Sequence, residues 1–415
     1  MPALPQNPDV VVVGAGAAGL AAGRRLMDAG REVVVVEAAG HVGGRCITDS
    51  ETFPVPFDRG GSWLHCATAN PLTPIARAFG FTIVEDAHVP RLVSVDGKLL
   101  TERETADYVA YNEDIYEALQ AAGEAGEDTA ATDFLVAGPY RHCTESVLSW
   151  IHSVDAAGIS TLDYSRFIKA EGEWLLREGL GTVVARHGAE VPVALSTPVE
   201  EIDLSGSRPR VVTTEGAIEA GAVIVTVSTG VLAAGDIRFT PELPAAKLQA
   251  IADLPCGVLN KTALLFDGGL SEAESDDRFS YFPQEGEGMG MRLNYLGSDL
   301  TICFTGGSFG IGLEEAGPGT ATEFALEGLT SAFGSDLRTR LIKSDETRWW
   351  TYPLTRGAYS GARPGRADAR HALAEPVEGR LFFAGEATIP EWTATVAGAH
   401  LSGIRAAEEA LAELG

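Results

Sequence analysis

The stretch Asp9–Glu37, DVVVVGAGAAGLAAGRRLMDAGREVVVVE, decides the fold. Val10–Val13 is a short β-branched run of the kind that is buried on both faces of a parallel sheet. It enters Gly14-Ala15-Gly16-Ala17-Ala18-Gly19, and a helix rich in alanine, leucine and arginine follows. A second run, Val33–Val36, ends on Glu37, 18 residues after Gly19. A glycine-rich turn alone would suit any α/β protein. The strand before it, the helix after it and the acid closing the second strand make it a dinucleotide-binding βαβ unit. Gly14 permits the tight turn, Gly16 lets a pyrophosphate approach the backbone, and Gly19 lets helix and strand pack closely. The first helical N–H groups face the phosphates, and Glu37 accepts the hydroxyls of an adenosine ribose.

Outward from this unit, the composition bounds the rest. The chain has 415 residues, enough for two cores, with 45% hydrophobic and 21% charged residues. No run approaches the roughly 20 apolar residues of a membrane helix, and no basic, apolar leader precedes the first strand. The expectation is a cytoplasmic protein with no membrane partner. Cys46, Cys66, Cys143, Cys256 and Cys303 show no paired spacing, and the 8 histidines no ligand spacing, so reduced thiols and no metal are expected. A net charge of −27 argues against nucleic acid. Residues 102–133 hold 10 carboxylates against one arginine, and residues 272–287 hold 6 against one. Such runs form either a solvated surface or an entrance for a cationic substrate, and net charge speaks first to solubility.

Along the chain, Gly40-His41-Val42-Gly43-Gly44-Arg45 is a tight turn that can return Arg45 to the pyrophosphate as a bidentate fork. Phe57–His65 (FDRGGSWLH) is a second glycine-rich approach, to a ring-shaped ligand. A helix is expected from about Leu72 to Phe79, then short strands and acidic helices at 106–123 and 146–156. A helix opens at Gly179-Leu180-Gly181, a strand spans 194–202, a hairpin turns around Gly216, and 222–227 is a buried strand. Strands follow at 262–266, 291–296 and 300–304, then 381–386 leading into a small-residue helix over 394–411. The fold class is α/β: a Rossmann-type domain (1–83, 180–253 and 348–415) interleaved with an α+β substrate domain (84–179 and 254–347).

These segments together resemble the flavin-dependent amine oxidases, namely monoamine oxidases, polyamine oxidases and lysine-specific histone demethylases, and most of all the polyamine oxidases. The resemblance runs in order through VVVVGAGAAGL…VVVVE, HVGGR, GGSWLHCATANPL, TPVEEI, AVIVTVSTGVLAAGDIRFTPELPAAKLQAIADL, GVLNKTALLF, RWWTYPLTRGAYSGARPG and LFFAGEATIPEWTATVAGAHLSGIRAA. It implies FAD held by Gly14, Gly16, Ala18, Gly19, Glu37, Gly43, Gly44 and Arg45. Val199 would meet the adenine with its backbone. Gly60, Gly61, Ser62, Trp63, Gly385, Glu386, Thr395, Val396 and Ala399 would line the rest of the cofactor, with either Trp349 or Trp350 beside the ring. The helix from Val396 would point its N-terminus at the flavin. Lys261 resembles the lysine that holds a water near flavin N5, and Tyr359 one aromatic wall of the substrate cage.

Departures from the family pattern matter as well. Ala358 stands where monoamine oxidases carry the flavin-linking cysteine, so the FAD is expected to be non-covalent. Thr395 stands where their second cage tyrosine lies. His65 resembles the substrate-facing histidine of animal-type polyamine oxidases, although a core histidine is the equal alternative, because Cys66 follows where glycine is usual. Ser228-Thr229-Gly230 also departs from the usual turn.

The resemblance implies oxidation of a cationic amine by hydride transfer to flavin N5, imine hydrolysis, and reduction of O2 to hydrogen peroxide, by a monomer or homodimer. Lys261, His65, Tyr359 and Thr395 are the expected active-site residues. Rivals are a monoamine oxidase and an L-amino acid oxidase, the latter needing a pocket arginine that sequence does not locate. A histone demethylase is disfavoured by the missing tower insertion and chromatin-reading domain. Two classes lie further off. One is a serine hydrolase built on Gly306-Gly307-Ser308-Phe309-Gly310 with Asp345 or Asp368 and His371 or His400. The other is a flavin-binding protein without catalysis.

Overall fold

A computed structural model describes residues 7–86, 92–270 and 277–415, the side chain of Asp277 excepted. Five parallel strands form one sheet, in the order Leu381–Phe383, Ala222–Val225, Val10–Val13, Val33–Val36 and Val193–Ala194. Val10 pairs with both Ala222 and Val33, so the opening strand is central. It is covered on both faces, as the unbroken valine run requires. The helix Ala17–Asp28 packs on the C-terminal helix Val396–Leu414 at close range: a Cβ on Gly403 would lie 2.0 Å from the Ala18 carbonyl oxygen. Gly19 serves the same end at the loop, where a Cβ would lie 1.8 Å from the Gly14 oxygen.

The second body is a seven-stranded sheet, in the order Leu341–Glu346, Leu259–Phe266, Leu300–Gly306, Met289–Leu293, Asp277–Phe282, Leu92–Val95 and Lys98–Leu99. Alternation along Leu259–Phe266 sends Leu264 and Phe266 into a core with the helix Thr320–Phe333. Ala263 and Leu265 face the other way, into a core with Trp63 and Phe304, and Lys261 shares their face. The period-2 geometry of one strand therefore aims the lysine at the space between the two sheets.

Three expectations need correction. The acidic helix expected over 106–123 runs Glu102–Glu124, because Thr101 and Glu104 form a capping box that starts it earlier. The helix expected over 146–156 is Arg141–His152, ended by Ser153 in a left-handed conformation (φ 62°). The single strand expected over 194–202 is two. Val193–Ala194 belongs to the parallel sheet, and Val199–Asp203 to a four-stranded sheet with Gly216–Glu219, Arg210–Thr213 and Arg238–Thr240. Between them the Ser196 and Thr197 amides donate to the Ala39 and Glu37 carbonyls, which turns the chain at the end of the βαβ unit. Among the described residues no helix is long and apolar enough to cross a membrane. The acidic run 272–287 lies partly outside the described residues.

Candidate functional site

A chamber of about 1380 Å³ lies between the two sheets. It extends from Glu37 and Val199 beside the parallel sheet to Tyr108 and Phe279 beside the seven-stranded sheet. Of the residues expected at the site, Gly14, Gly16, Ala18, Glu37, Gly43, Gly44, Arg45, Gly60, Gly61, Ser62, Trp63, His65, Val199, Lys261, Trp349, Tyr359, Gly385, Glu386, Thr395, Val396 and Ala399 all line it. Gly19 stands behind the loop and not in the lining.

At the glycine-loop end, Gly14 has φ +103°, which a side chain would strain. Gly16 caps the first helix, and a Cβ there would meet only the Gly43 oxygen, 3.9 Å away; at Gly385 it would meet only the Thr226 oxygen, also at 3.9 Å. Both glycines line the chamber, so they form a cradle that side chains would fill. Glu37 is held for it: one carboxylate oxygen accepts from the Ala15 amide at 2.6 Å and the other from Ala39 at 2.8 Å. The Thr393 hydroxyl, at the mouth of the C-terminal helix, is buried with no hydrogen-bond partner among the described residues. Loop, acid, cradle and orphaned hydroxyl fit a dinucleotide.

Arg45 lines the chamber with one arm of its guanidinium already engaged. Its Nη1 donates to the Ala358 carbonyl at 2.8 Å and to Glu386 at 3.0 Å. Burial works most strongly against the Arg45 cation, but Glu386 and Cys256 together outweigh it and the net pKa shift is upward. Glu386 also accepts from the Ser360 hydroxyl at 2.8 Å, and Ser360 accepts from Arg370 at 2.9 Å. Arg370, fully buried, forks onto Asp163 at 2.6 and 2.7 Å. Sequence reasoning missed this relay, since its members sit on four separate segments with no shared motif.

At the opposite side, Lys261 is 3% exposed and donates to the Asp58 carbonyl at 2.8 Å, the Gly60 carbonyl at 2.6 Å and the Ser62 hydroxyl. Burial lowers its pKa to about 8 against the opposing pull of Asp58. All three ammonium protons therefore have protein acceptors, and a water held there would replace one of them. Trp349 is 7% exposed and lines the chamber, whereas Trp350 is 38% exposed and donates outward to Glu315 at 3.3 Å. Of that pair, Trp349 is the one beside the site.

His65 stacks on Trp63 (centroids 6.0 Å apart, planes 25° apart), and its Nδ1 lies 2.5 Å from Glu173 Oε2. Glu173 also accepts from the Cys66 amide at 3.2 Å. It arrives because Leu64 bridges Trp174 in antiparallel fashion, a pairing across more than 100 residues that no local signal reveals. Cys66 has φ +49°, the left-handed region that favours glycine; its thiol donates to the Ile168 carbonyl at 3.2 Å. Ser228, another departure, caps the helix Thr229–Ala234 through the Val231 amide at 3.1 Å.

Tyr359 turns its ring to the chamber while its hydroxyl points to the Trp150 and Ile151 carbonyls, at 3.0 and 2.8 Å. The Thr395 hydroxyl is also committed. It accepts from the Gly398 amide at 2.9 Å as N-cap of the C-terminal helix and donates to the Trp392 carbonyl at 2.7 Å. Thr395 thus shapes the helix terminus and does not present its hydroxyl to a substrate.

The chamber's arginines, Arg45, Arg59, Arg278, Arg356 and Arg370, are paired with Glu386, Asp345, Asp86, Asp236 and Asp163. Of the 10 carboxylates in residues 102–133, only Glu113 lines the chamber. Ser308 is exposed and outside the lining, with its amide on Asp155 at 2.9 Å. Asp345 is held by Arg59, and His400 packs on His187 at 5.3 Å. No hydrolase triad is assembled among these residues.

A family model described as flavin containing amine oxidoreductase matches residues 17–411. Lysine-specific histone demethylase 1B of Mus musculus is 29% identical over 97% of this chain, which spans 53% of that protein. Polyamine oxidase 5 of Oryza sativa subsp. japonica is 28% identical over 97% of this chain and 87% of its own length. Among solved structures, cyclohexylamine oxidase from Brevibacterium oxydans IH-35A superposes with a TM-score of 0.82 at 21% identity, over 99% of this chain and 100% of that one. The chain thus spans about half of the first of these relatives and most of the second.

Proposed function

The chain belongs to the flavin-containing amine oxidoreductases, and on that premise we propose that it is an FAD-dependent amine oxidase whose substrate is a polyamine. The observation that carries the reading is the charge state of the chamber wall. Each lining arginine already faces a carboxylate, so the carboxylate of an amino acid would have to break an ion pair to bind. His65 with Glu173 offers an acceptor pair to an amine, and the Trp63 and Tyr359 rings offer electron-rich faces.

FAD, when bound, supplies the acceptor for the hydride that leaves the amine's α-carbon. Glu37 would hold the ribose hydroxyls, and Gly16, Gly385 and Thr393 would receive the polar chain of the cofactor. Ala358 carries no thiol, which keeps the cofactor non-covalent. His65, oriented by Glu173, accepts the proton of the entering ammonium so that nitrogen presents its lone pair. Lys261, with a pKa near 8, exchanges one of its acceptors for a water beside the reacting atoms. Water hydrolyses the imine to an aldehyde and a smaller amine, and O2 takes up the two electrons as hydrogen peroxide.

Anaerobic mixing of the flavin-loaded protein with spermine, spermidine, putrescine, an arylalkylamine, L-amino acids and a methyl-lysine peptide tests the reading. Bleaching of the flavin by a polyamine, with peroxide formed on readmitting air, is the expected result. Bleaching by amino acids or the peptide alone would overturn the substrate, and bleaching by none would overturn the reaction.

A further inference from the structure

One wall of the chamber is a helical stripe. Tyr108, Asn112, Tyr116 and Gln120 recur every fourth residue of the helix Glu102–Glu124, and all line the chamber. At 1.5 Å per residue the stripe is about 18 Å long, far more than one amine group needs. Most of its polar groups are occupied. Asn112 donates to the Tyr108 carbonyl at 3.0 Å and accepts from Thr144 at 2.7 Å, while Gln120 donates to Glu124 at 3.0 Å and to the Ser165 carbonyl at 3.3 Å.

Tyr116 differs from these two amides: among the described residues its hydroxyl has no hydrogen-bond partner. The same holds for the hydroxyl of Tyr164, on the short helix Thr161–Ser165, and for the imidazole of His152, at the end of the helix Arg141–His152. The His152 and Tyr164 rings lie 5.4 Å apart, and Tyr116 and Tyr164 pack against the same hydrophobic cluster. Elsewhere in the lining, Lys261, His65, Tyr359, Thr395 and the arginines all have protein partners. The three residues are half-buried, and donors and acceptors left open toward a cavity are satisfied by what enters it.

The three groups are also uncharged together. Burial raises both phenols, and it lowers His152 to about 4 against a weak opposing pull from Asp163. The Asp163 carboxylate is itself taken up by Arg370. An ammonium among these groups would lose its hydration with Asp163 already paired; Glu113, three residues before Tyr116, also lines the chamber but is exposed, where solvent screens its charge.

We propose that Tyr116, Tyr164 and His152 form a second recognition site in the chamber, one that binds an uncharged hydrogen-bonding group of the substrate, an amide or a hydroxyl, remote from the C–N bond that is oxidised. This rests on the amine-oxidase reading above. Two phenols and a neutral imidazole can each donate and accept, which suits an amide's N–H and C=O or a hydroxyl's two roles. The site makes the protein selective for a long amine that is charged at one end and neutral but polar at the other.

The test uses the flavin-loaded protein and four amines of equal chain length ending in methyl, hydroxyl, N-acetyl or ammonium. Affinity is read twice, from the concentration dependence of anaerobic flavin bleaching and from quenching of tryptophan fluorescence, since Trp150 shares the chamber. The hydroxyl or N-acetyl amine, whichever end the site takes, is expected to bind roughly tenfold or more tighter than the methyl and ammonium amines. Tyr116→Phe and Tyr164→Phe, each removing one oxygen, are expected to erase most of that preference. Tightest binding by the ammonium amine, or a preference unchanged in both variants, would overturn the site. If no amine bleaches the flavin, the reaction reading fails on that count, and the fluorescence affinities still decide the site.

Discussion

Lys261→Met tests whether the buried lysine is present as a strained cation. The side chain is 3% exposed, and burial brings its pKa from 10.5 to about 8. A base whose folded-state value lies below its unfolded value binds fewer protons in the folded chain between the two. Folding stability therefore rises with pH across that window, is fully present above about 10.5, and is lost as pH falls through about 8. The span corresponds to about 3 kcal/mol, the disadvantage of keeping the charged lysine buried at neutral pH. Methionine removes that disadvantage but strips a donor from the Asp58 and Gly60 carbonyls and the Ser62 hydroxyl, at about 1 kcal/mol each. At pH 7 the two effects nearly cancel, so the variant should match the wild type within about 1 kcal/mol. By pH 10 the wild type should gain about 2–3 kcal/mol over it. Urea unfolding of both proteins from pH 7 to 10, at saturating FAD, measures the difference, and subtraction removes every other titrating group. A wild-type-minus-variant difference that is flat across the range would refute the claim that burial lowers Lys261.

Gly16→Ala should fold normally yet lose FAD affinity, roughly tenfold or more by flavin fluorescence titration, because its methyl enters the chamber; Gly19→Ala should fail to fold, its methyl meeting the Gly14 oxygen at 1.8 Å. Asp163→Asn leaves Arg370 as a buried cation without its carboxylate and should cost about 3–5 kcal/mol in urea unfolding. Burial lowers His400 to about 4 from 6.5, so it contributes stability that is present above about 6.5 and lost as pH falls through about 4. His400→Phe should accordingly flatten the acid limb of a thermal-unfolding profile.

Much of the glycine-loop end of the chamber was legible because its requirements are local. A turn needing φ +103° at Gly14, a Cβ-free approach at Gly16 and a strand ending in Glu37 are stated by neighbouring residues, and the valine run announces a strand buried on both sides. Lys261 was named from the resemblance alone, since the strand expected over 262–266 left it out; the observed strand Leu259–Phe266 puts it on the face of Ala263 and Leu265. Choosing Trp349 over Trp350 needed the structure, because adjacent residues on an irregular segment carry no periodicity to say which turns inward.

The sequence by itself determined the βαβ unit, the glycine cradle and the acid that closes it, since each follows from backbone geometry or side-chain period within one segment. Only the tertiary structure decided which charges are spent and which polar groups stay open. Glu173 beside His65, Glu386 on Arg45 and Asp163 on Arg370 meet across 108, 341 and 207 residues. Tyr116, Tyr164 and His152 share a wall only because three helices converge on it. Electrostatic pairing and desolvation depend on distance in space, and separation along the chain does not encode that distance.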